Sequence, residues 1–316
     1  MRVWIIFHRD LLPDKAEVPE ILRFHQVAKT MGVELQVLKP QDFELVVATG
    51  RKWQVHHRHL ALEKPDYVIA RTGAETRYFT LSVLRQLAHQ GVELVNDAEA
   101  IEATADKLRS LQILAAAGIP IPRTILGKFP VDVDLVEREL GFPVVVKTLK
   151  GTRGSGVLLC QNREQFGDLA SLLGGANPGE DFIFQRYVRA SHGRDVRLLV
   201  VGGKVVAAME RRARDGGFKS NVSLGGEGLP FDPPRDMKKL AIKVAKTLKL
   251  DIAGVDILFD DDGYQVCEAN SSPGFQGLEK ALGIDVPEII FEWLFRRHAR
   301  VEGGLLRWFD AMRDDW

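Results

Sequence analysis

Asp256, Glu268 and Asn270 surround a strong hairpin signal, Asp261-Asp262-Gly263. It separates Val255-Asp256-Ile257-Leu258-Phe259 from Tyr264-Gln265-Val266-Cys267-Glu268. A turn centred at Asp262 sets Asp256 opposite Glu268, within cross-strand reach. Asn270, two residues further on, leaves the strand on the same side as Glu268. The neighbours Val255, Ile257, Val266 and Cys267 mark strands buried on both sides, where two facing carboxylates repel unless a cation lies between them. Oxygen donors of this kind suit Mg²⁺. Asp260, Asp261 and Asp262 read as solvated turn residues outside that set.

Two other segments carry the opposite charge. Lys147 ends the apolar run Pro143-Val144-Val145-Val146, and Thr148-Leu149-Lys150-Gly151-Thr152-Arg153-Gly154-Ser155-Gly156 follows directly. Gly151, Gly154 and Gly156, with Ser155 among them, let backbone N–H groups close on an anion because no Cβ blocks the approach. No Gly-Lys-Ser/Thr ends the loop, and Val157-Leu158-Leu159 continues as a strand instead of opening a helix. The segment therefore reads as a flap joining two antiparallel strands over phosphates, with the Lys147 ammonium at the cleft. Between Arg186 and Asn221 stand Arg189, Arg194, Arg197, Lys204, Arg211, Arg212, Arg214 and Lys219, against few acids. A polyphosphate carrying Mg²⁺ needs both patches.

The elements that must hold these groups follow from the pattern. Val3–Phe7, 33–38, Tyr67–Ala70 and 92–95 read as buried parallel strands, alternating with helices over 18–31 and 79–90. Gly50 to His59 is polar and His-rich, a loop or small hairpin. A helix over 106–117 ends at Gly118 with Pro120 and Pro122 beyond it. Further strands are expected at 182–185, 196–201 and 204–210, then a helix over 235–248, the hairpin 254–270 and a helix over 287–298. Arg71-Thr72-Gly73 ends a strand on the cleft side, open equally to a carboxylate or to plain turn chemistry. His8, His25, His56, His57, His59 and His89 read as surface or satisfied core, and Cys160 and Cys267 as small buried hydrophobes.

Lys plus Arg and Asp plus Glu number 43 each, so bulk positive charge holds neither nucleic acid nor an anionic membrane. Two cysteines make no disulfide framework and no Cys/His cluster suggests zinc, which fits a reducing compartment. A nicotinamide-dependent oxidoreductase has only the N-terminal α/β pattern in its favour and lacks the glycine fingerprint there.

In their order, Asp106-Lys107-Leu108, the strand lysine with its glycine loop, and the Asp, Glu and Asn of the hairpin resemble the ATP-grasp superfamily of carboxylate–amine ligases. More narrowly, Val205 to Ala213, Lys219-Ser220-Asn221, Ala253 to Leu258 and Glu268-Ala269-Asn270-Ser271-Ser272-Pro273-Gly274 are similar to the RimK-type α-L-glutamate ligases. The likeness is strongest from Lys107 to about Asp285 and loose before it. It implies an α/β and α+β chain of ATP-grasp fold: a pre-ATP-grasp α/β domain over 1–97, a central lobe with the flap over 98–186, and a C-terminal lobe with the metal-binding hairpin over 187–316.

The resemblance also implies roles for individual residues. Lys107 and Lys147 contact ATP phosphates beneath the flap, and Gln185-Arg186-Tyr187-Val188 is the hinge against which adenine packs. Asp195 binds the ribose, and Lys219, Ser220 and Asn221 line the nucleotide and phosphate site. Arg197 and Arg211 sit near an acyl phosphate, and Asp256, Glu268 and Asn270 hold Mg²⁺ or Mn²⁺. Arg186 departs from the acid that family members commonly carry at the hinge. The implied activity is ATP-dependent amide formation through an acyl phosphate, adding glutamate to a peptide or protein C-terminus. A small-molecule or carrier-protein acceptor is the alternative within that class, and an ATP-binding regulatory module without turnover the alternative outside it. The expected setting is cytoplasmic, as a homo-oligomer (dimer or tetramer), without nucleic acid or membrane as partner.

Overall fold

Uninterrupted apolar runs mark strands buried on both faces, as at 3–6 and Tyr67–Ala70, and the first four expected strands fall in one parallel sheet. The computed structural model describes the chain except residues 13, 14, 16, 51, 52, 62, 74, 75, 150–155, 177, 178, 215, 221–224 and 314–316. The first unit contains β1 (Arg2–Ile6), α1 (Val18–Met31), β2 (Glu34–Leu38), β3 (Phe43–Val46), β4 (Gln54–His57), β5 (Leu60–Ala61), β6 (Tyr67–Ala70), α2 (Tyr78–His89) and β7 (Glu93–Val95). Its parallel sheet has the order β2-β1-β6-β7. α1 buries Val18, Ile21, Phe24, Val27 and Ala28 at helical spacing and stops at Gly32, whose φ of 67° is the left-handed conformation glycine adopts without a Cβ penalty. The polar 50–59 stretch contributes more than a small hairpin: β4 is the middle strand of a three-stranded sheet, β3-β4-β5.

α3 (Ala98–Ala105) and α4 (Lys107–Ala116) lead into the middle unit. Asp106 caps α4, its carboxylate accepting from the backbone N–H groups of Leu108 and Arg109 at 3.0 Å each, and so stations Lys107 at the first helical position. The middle unit holds β8 (Thr124–Lys128), α5 (Val133–Leu140), β9 (Val144–Thr148), β10 (Val157–Cys160), α6 (Arg163–Ala176) and β11 (Asp181–Arg186). Its antiparallel sheet runs β10-β9-β11-β8. β9 and β10 are the two sides of the expected flap, with Val157 opposite Lys147.

The last unit comprises β12 (Arg194–Val201), β13 (Lys204–Arg212), β14 (Glu227–Pro230), α7 (Arg235–Thr247), β15 (Ile252–Asp260), β16 (Gly263–Asn270), α8 (Gln276–Leu282) and α9 (Val286–Arg313). Its antiparallel sheet has the order β14-β13-β12-β15-β16. Alternate residues of β12 and β13 enter two different cores, so these strands are apolar on both faces. Val196, Leu198, Val200 and Ala208 pack with α7 through Met237, Ala241 and Val244. Leu199, Val201, Ala207 and Met209 pack instead with Phe24 of α1 and with Ile290, Phe291 and Leu294 of α9. The last helix thus closes the first unit's core, with Phe24 and Phe291 edge to face at 5.7 Å between ring centroids.

The β12–β13 turn is pinned to that helix. A Cβ at Gly202, which has φ +56°, would lie 2.1 Å from Nε1 of Trp293. Gly202→Ala will lower stability by about 1–3 kcal/mol, read as a fall in thermal unfolding temperature, because backbone strain and overlap with a half-buried indole act together.

Candidate active site

The three units enclose a cavity of about 810 Å³, and charged and polar groups singled out in the sequence line it: Lys107, Lys147, Asp195, Arg197, Arg211, Lys219, Asp256, Glu268 and Asn270. The hairpin reaches the expected pairing by an unexpected path. Asp260 pairs with Gly263, so the turn is centred between Asp261 and Asp262, and that register alone would place Asp256 opposite Cys267. A β-bulge between Asp256 and Ile257 absorbs one residue of β16 and brings Asp256 opposite Glu268. Glu268 and Asn270 share a face, and the Asn270 Nδ2 donates to Glu268 Oε1 at 3.2 Å.

Repulsion between the two carboxylates, which pointed to a metal, is relieved by protein cations. Asp256 is 2% exposed and accepts a two-pronged pair from Arg197, Nε to Oδ1 at 2.7 Å and Nη2 to Oδ2 at 2.6 Å. Arg211 Nη2 donates to the same Oδ2 at 2.8 Å. Burial pushes the Asp256 carboxyl up, but the Arg197 and Arg211 guanidiniums outweigh it and hold the group well below the usual carboxylate range. Arg211 is itself desolvated, which alone would lower it, yet Asp256 and Asp195 keep it firmly charged. A buried pair with excellent geometry on both sides is the arrangement that tolerates low dielectric.

Asp195, expected at a ribose, gives both oxygens to its neighbours: Arg211 donates at 2.6 and 2.8 Å, and the Ser220 hydroxyl at 2.7 Å. Ser220 is thereby an anchor for Asp195 as well as a lining residue. The oxygens left toward the cavity are those of Glu268, whose side chain is 42% exposed, and of Asn270. Among the described residues no group of three His, Cys, Asp or Glu side chains gathers as a metal site. The donor set is two carboxylates and an amide, all oxygen, which fits a hard divalent cation. Cys267, the residue beside the bulge, is no pure core thiol, since it lines the cavity with its Sγ 3.7 Å from Lys147 Nζ. Burial pushes it up to about 11 despite that lysine, so it stays a thiol and adds no soft ligand.

The two lysines approach from other elements. Lys107 Nζ donates to the Thr148 carbonyl at 3.1 Å, tying α4 to the start of the flap. Burial holds its ammonium below the usual lysine range, Glu268 raising it and Lys147 lowering it further. Thr148 N–H also bonds the Gly156 carbonyl at 3.0 Å, and a Cβ on Gly156 would lie 2.4 Å from Thr148 Oγ1, so glycine is required where the flap closes. Gly151, Gly154, Ser155 and Asn221 lie outside the described residues.

At the hinge, Gln185 is buried and donates to Thr124 Oγ1 at 2.9 Å, Val188 is buried, and the Tyr187 hydroxyl bonds His192 Nδ1. Arg186 reaches Asp260 Oδ2 at 3.1 Å, so Asp260 is an ion-pair partner and not a solvated turn residue. The sequence left Arg71 open between a carboxylate site and turn chemistry, and it missed the partner Glu20. Arg71 lines the cavity, but its guanidinium is already bound to Glu20 and to the Pro273 carbonyl. The Glu20 signal was invisible because the residue sits on the buried face of α1, where only its partner explains it.

Comparison with known proteins agrees with this layout. Residues 104–294 match the RimK-like ATP-grasp domain, and residues 10–101 match the RimK PreATP-grasp domain. A probable alpha-L-glutamate ligase of Citrobacter koseri is 38% identical over 282 residues, 89% of this chain and 92% of that protein. A ribosomal protein bS6–L-glutamate ligase of Escherichia coli is 37% identical over 281 residues, again 89% and 92%. The ATP-grasp ligase PsnB, solved with a phosphomimetic variant of its minimal precursor, Mg and ADP, superposes with a TM-score of 0.71 at 19% identity, covering 94% of this chain and 98% of that one. D-alanine–D-alanine ligase from Bacillus anthracis gives 0.65 at 16% identity, covering 96% and 99%. The structural likenesses establish the ATP-grasp fold, and the sequence matches establish the family: this chain belongs to the RimK-like ATP-grasp ligases.

Proposed function

We propose that this ligase joins L-glutamate to the C-terminal carboxylate of a protein acceptor of the bS6 kind, with ATP and Mg²⁺. The observation that carries the reading is the Arg197–Asp256–Arg211 cluster facing Glu268 and Asn270 across from Lys107 and Lys147, in one cavity. A carboxylate is a poor electrophile. ATP converts it to an acyl phosphate with release of ADP, and the amine then displaces phosphate, forming the amide and losing a proton.

Little covalent work falls to the protein, which must bring two anions together and neutralise charge as the phosphoryl group moves. Lys107 and Lys147 would hold phosphate oxygens, and Arg197 and Arg211 would keep guanidinium charge at the reacting end. Glu268 and Asn270, with Asp256 beside them, would hold the divalent ion, which would supply charge neutralisation at the phosphates. The flap keeps water from the acyl phosphate. Hinge contacts to adenine through the backbone of 185–188 would leave the Arg186 side chain with Asp260, which accounts for a cation being tolerated there.

The direct test incubates the purified chain with ATP, MgCl₂, L-glutamate and bS6 and follows ADP release and acceptor mass. Successive additions of one glutamyl residue are expected, and ADP release without a change in acceptor mass would sink the assignment. Lys147→Ala will weaken ATP binding by about tenfold, the loss of one charge-assisted phosphate contact, measured by calorimetry. Unchanged affinity would remove the flap lysine from the phosphate site.

A further inference from the structure

The hairpin gives the cavity a direction. Asp260, near its tip, bonds the hinge residue Arg186, while Asp256 and Glu268 stand further along and Asn270 lies at its base. With a rise of about 3.3 Å per residue, the strand, from Gly263 to Asn270, carries the cavity wall away from the hinge. There the chain leaves β16 as Ser271-Ser272-Pro273-Gly274, and Ser271, Ser272 and Gly274 line the cavity.

That loop is held by buried polar groups of the first unit. Arg71 Nη1 donates to the Pro273 carbonyl at 2.9 Å, and Arg71 Nη2 pairs with Glu20. The other Glu20 oxygen accepts the Phe275 N–H at 2.8 Å. Asn96 donates to the Ser271 carbonyl at 2.9 Å and exchanges two further bonds with the Ile252 backbone. Glu20, Arg71 and Asn96 are 4%, 7% and 2% exposed. From the other side, Gly254 admits Pro273 closely, since a Cβ there would lie 2.6 Å from that of the proline. Two opposite charges buried together and spent on backbone atoms of one loop do more than a stable fold needs, because apolar residues would fill the same space at no electrostatic cost.

We propose that Arg71 and Glu20 are positioning residues for the organic substrates: through Pro273 and Phe275 they fix the 271–274 loop beyond Asn270, where the amine and the acceptor carboxylate meet the terminal phosphate. This deepens the function proposed above and rests on ATP lying toward the hinge. It assigns the first unit a part in the reaction, and it makes the effect selective, since the nucleotide end is held by other elements.

The test is the double variant Glu20→Gln/Arg71→Met, with Arg71→Met alone beside it. The single variant strands a buried carboxylate and will unfold readily. The double variant removes both charges, keeps an acceptor for the Phe275 N–H and restores the unfolding temperature to within about 4 °C of the parent protein. Its kcat/KM for L-glutamate with bS6 as acceptor is expected to stay about 100-fold down, the scale of a small misplacement at a reacting centre. KM for ATP should remain within about twofold, as a site with no shared partner would. Recovery of kcat/KM along with stability, or a parallel rise in KM for ATP, overturns the proposal. Amide exchange of 271–275 gives a reading that needs no turnover. It should rise in the double variant while that of 254–260 does not, and unchanged exchange in the loop overturns the proposal equally. Failure of the functional reading is separate, because it shows in the parent protein as no turnover of L-glutamate.

Discussion

Glu268→Ala will lower ATP-dependent amide formation by about 100- to 1,000-fold, the effect of removing one preorganised group that stabilises transition-state charge. Glu268 is the more exposed carboxylate of the trio, 3.9 Å from Arg197 Nη2 and accepting a hydrogen bond from Asn270 at 3.2 Å, so its removal costs the fold little. The unfolding temperature is therefore expected to stay within about 2 °C, since a half-exposed side chain outside the core contributes little to stability. Glu268→Gln separates charge from shape. It keeps an oxygen toward the cavity and should be nearly as slow, with raised Mg²⁺ giving partial recovery. Full activity in Glu268→Ala, measured as ADP release and acceptor mass, would remove Glu268 from the metal and phosphate chemistry.

Arg211→Met will have the opposite profile, with loss of activity and of the fold together. Arg211 binds two buried carboxylates, Asp195 and Asp256, and its removal strips Asp195 of that guanidinium and leaves Asp256 with the one from Arg197. A cost of about 3–5 kcal/mol is expected for breaking such a buried pair, seen as a lower urea midpoint. The pH dependence follows from the same contacts. The Asp256 carboxyl is held well below its ordinary 3.8, so its contribution to stability is complete above that value and is lost as pH falls toward the lowered folded value. In Arg211→Met the carboxyl rises, the stabilisation shrinks, and acid unfolding begins at a higher pH than in the parent protein. Acid transitions that coincide in the two proteins would show that Arg197 alone carries Asp256.

Much of the working architecture was legible locally because it depends on short-range rules. Val18 to Met31 forms a helix ended by Gly32 because apolar spacing and a left-handed cap are written within one segment. The flap strands and the Asp261–Asp262 turn follow from period and turn chemistry in the same way, but the facing of Asp256 and Glu268 does not. The bulge that makes this last pairing true was not legible, since nothing in Cys267 or its neighbours distinguishes an extra residue from a regular one.

What the chain alone determined was which residue types stand on which strand: oxygen donors on the β15–β16 hairpin, cations on β9, α4, β12 and β13. Only the tertiary structure decided who partners whom. Arg197 meets Asp256 across 59 residues and Arg71 meets Pro273 across 202, and in each case the choice is made when three units close on one cavity. The physical reason is that a charge in water has many equivalent partners, whereas a desolvated one must take the counter-charge that packing brings within hydrogen-bond distance. For that reason Asp256 is neutralised by arginines, and Glu20, an ordinary helix residue by sequence, becomes an anchor of the 271–274 loop.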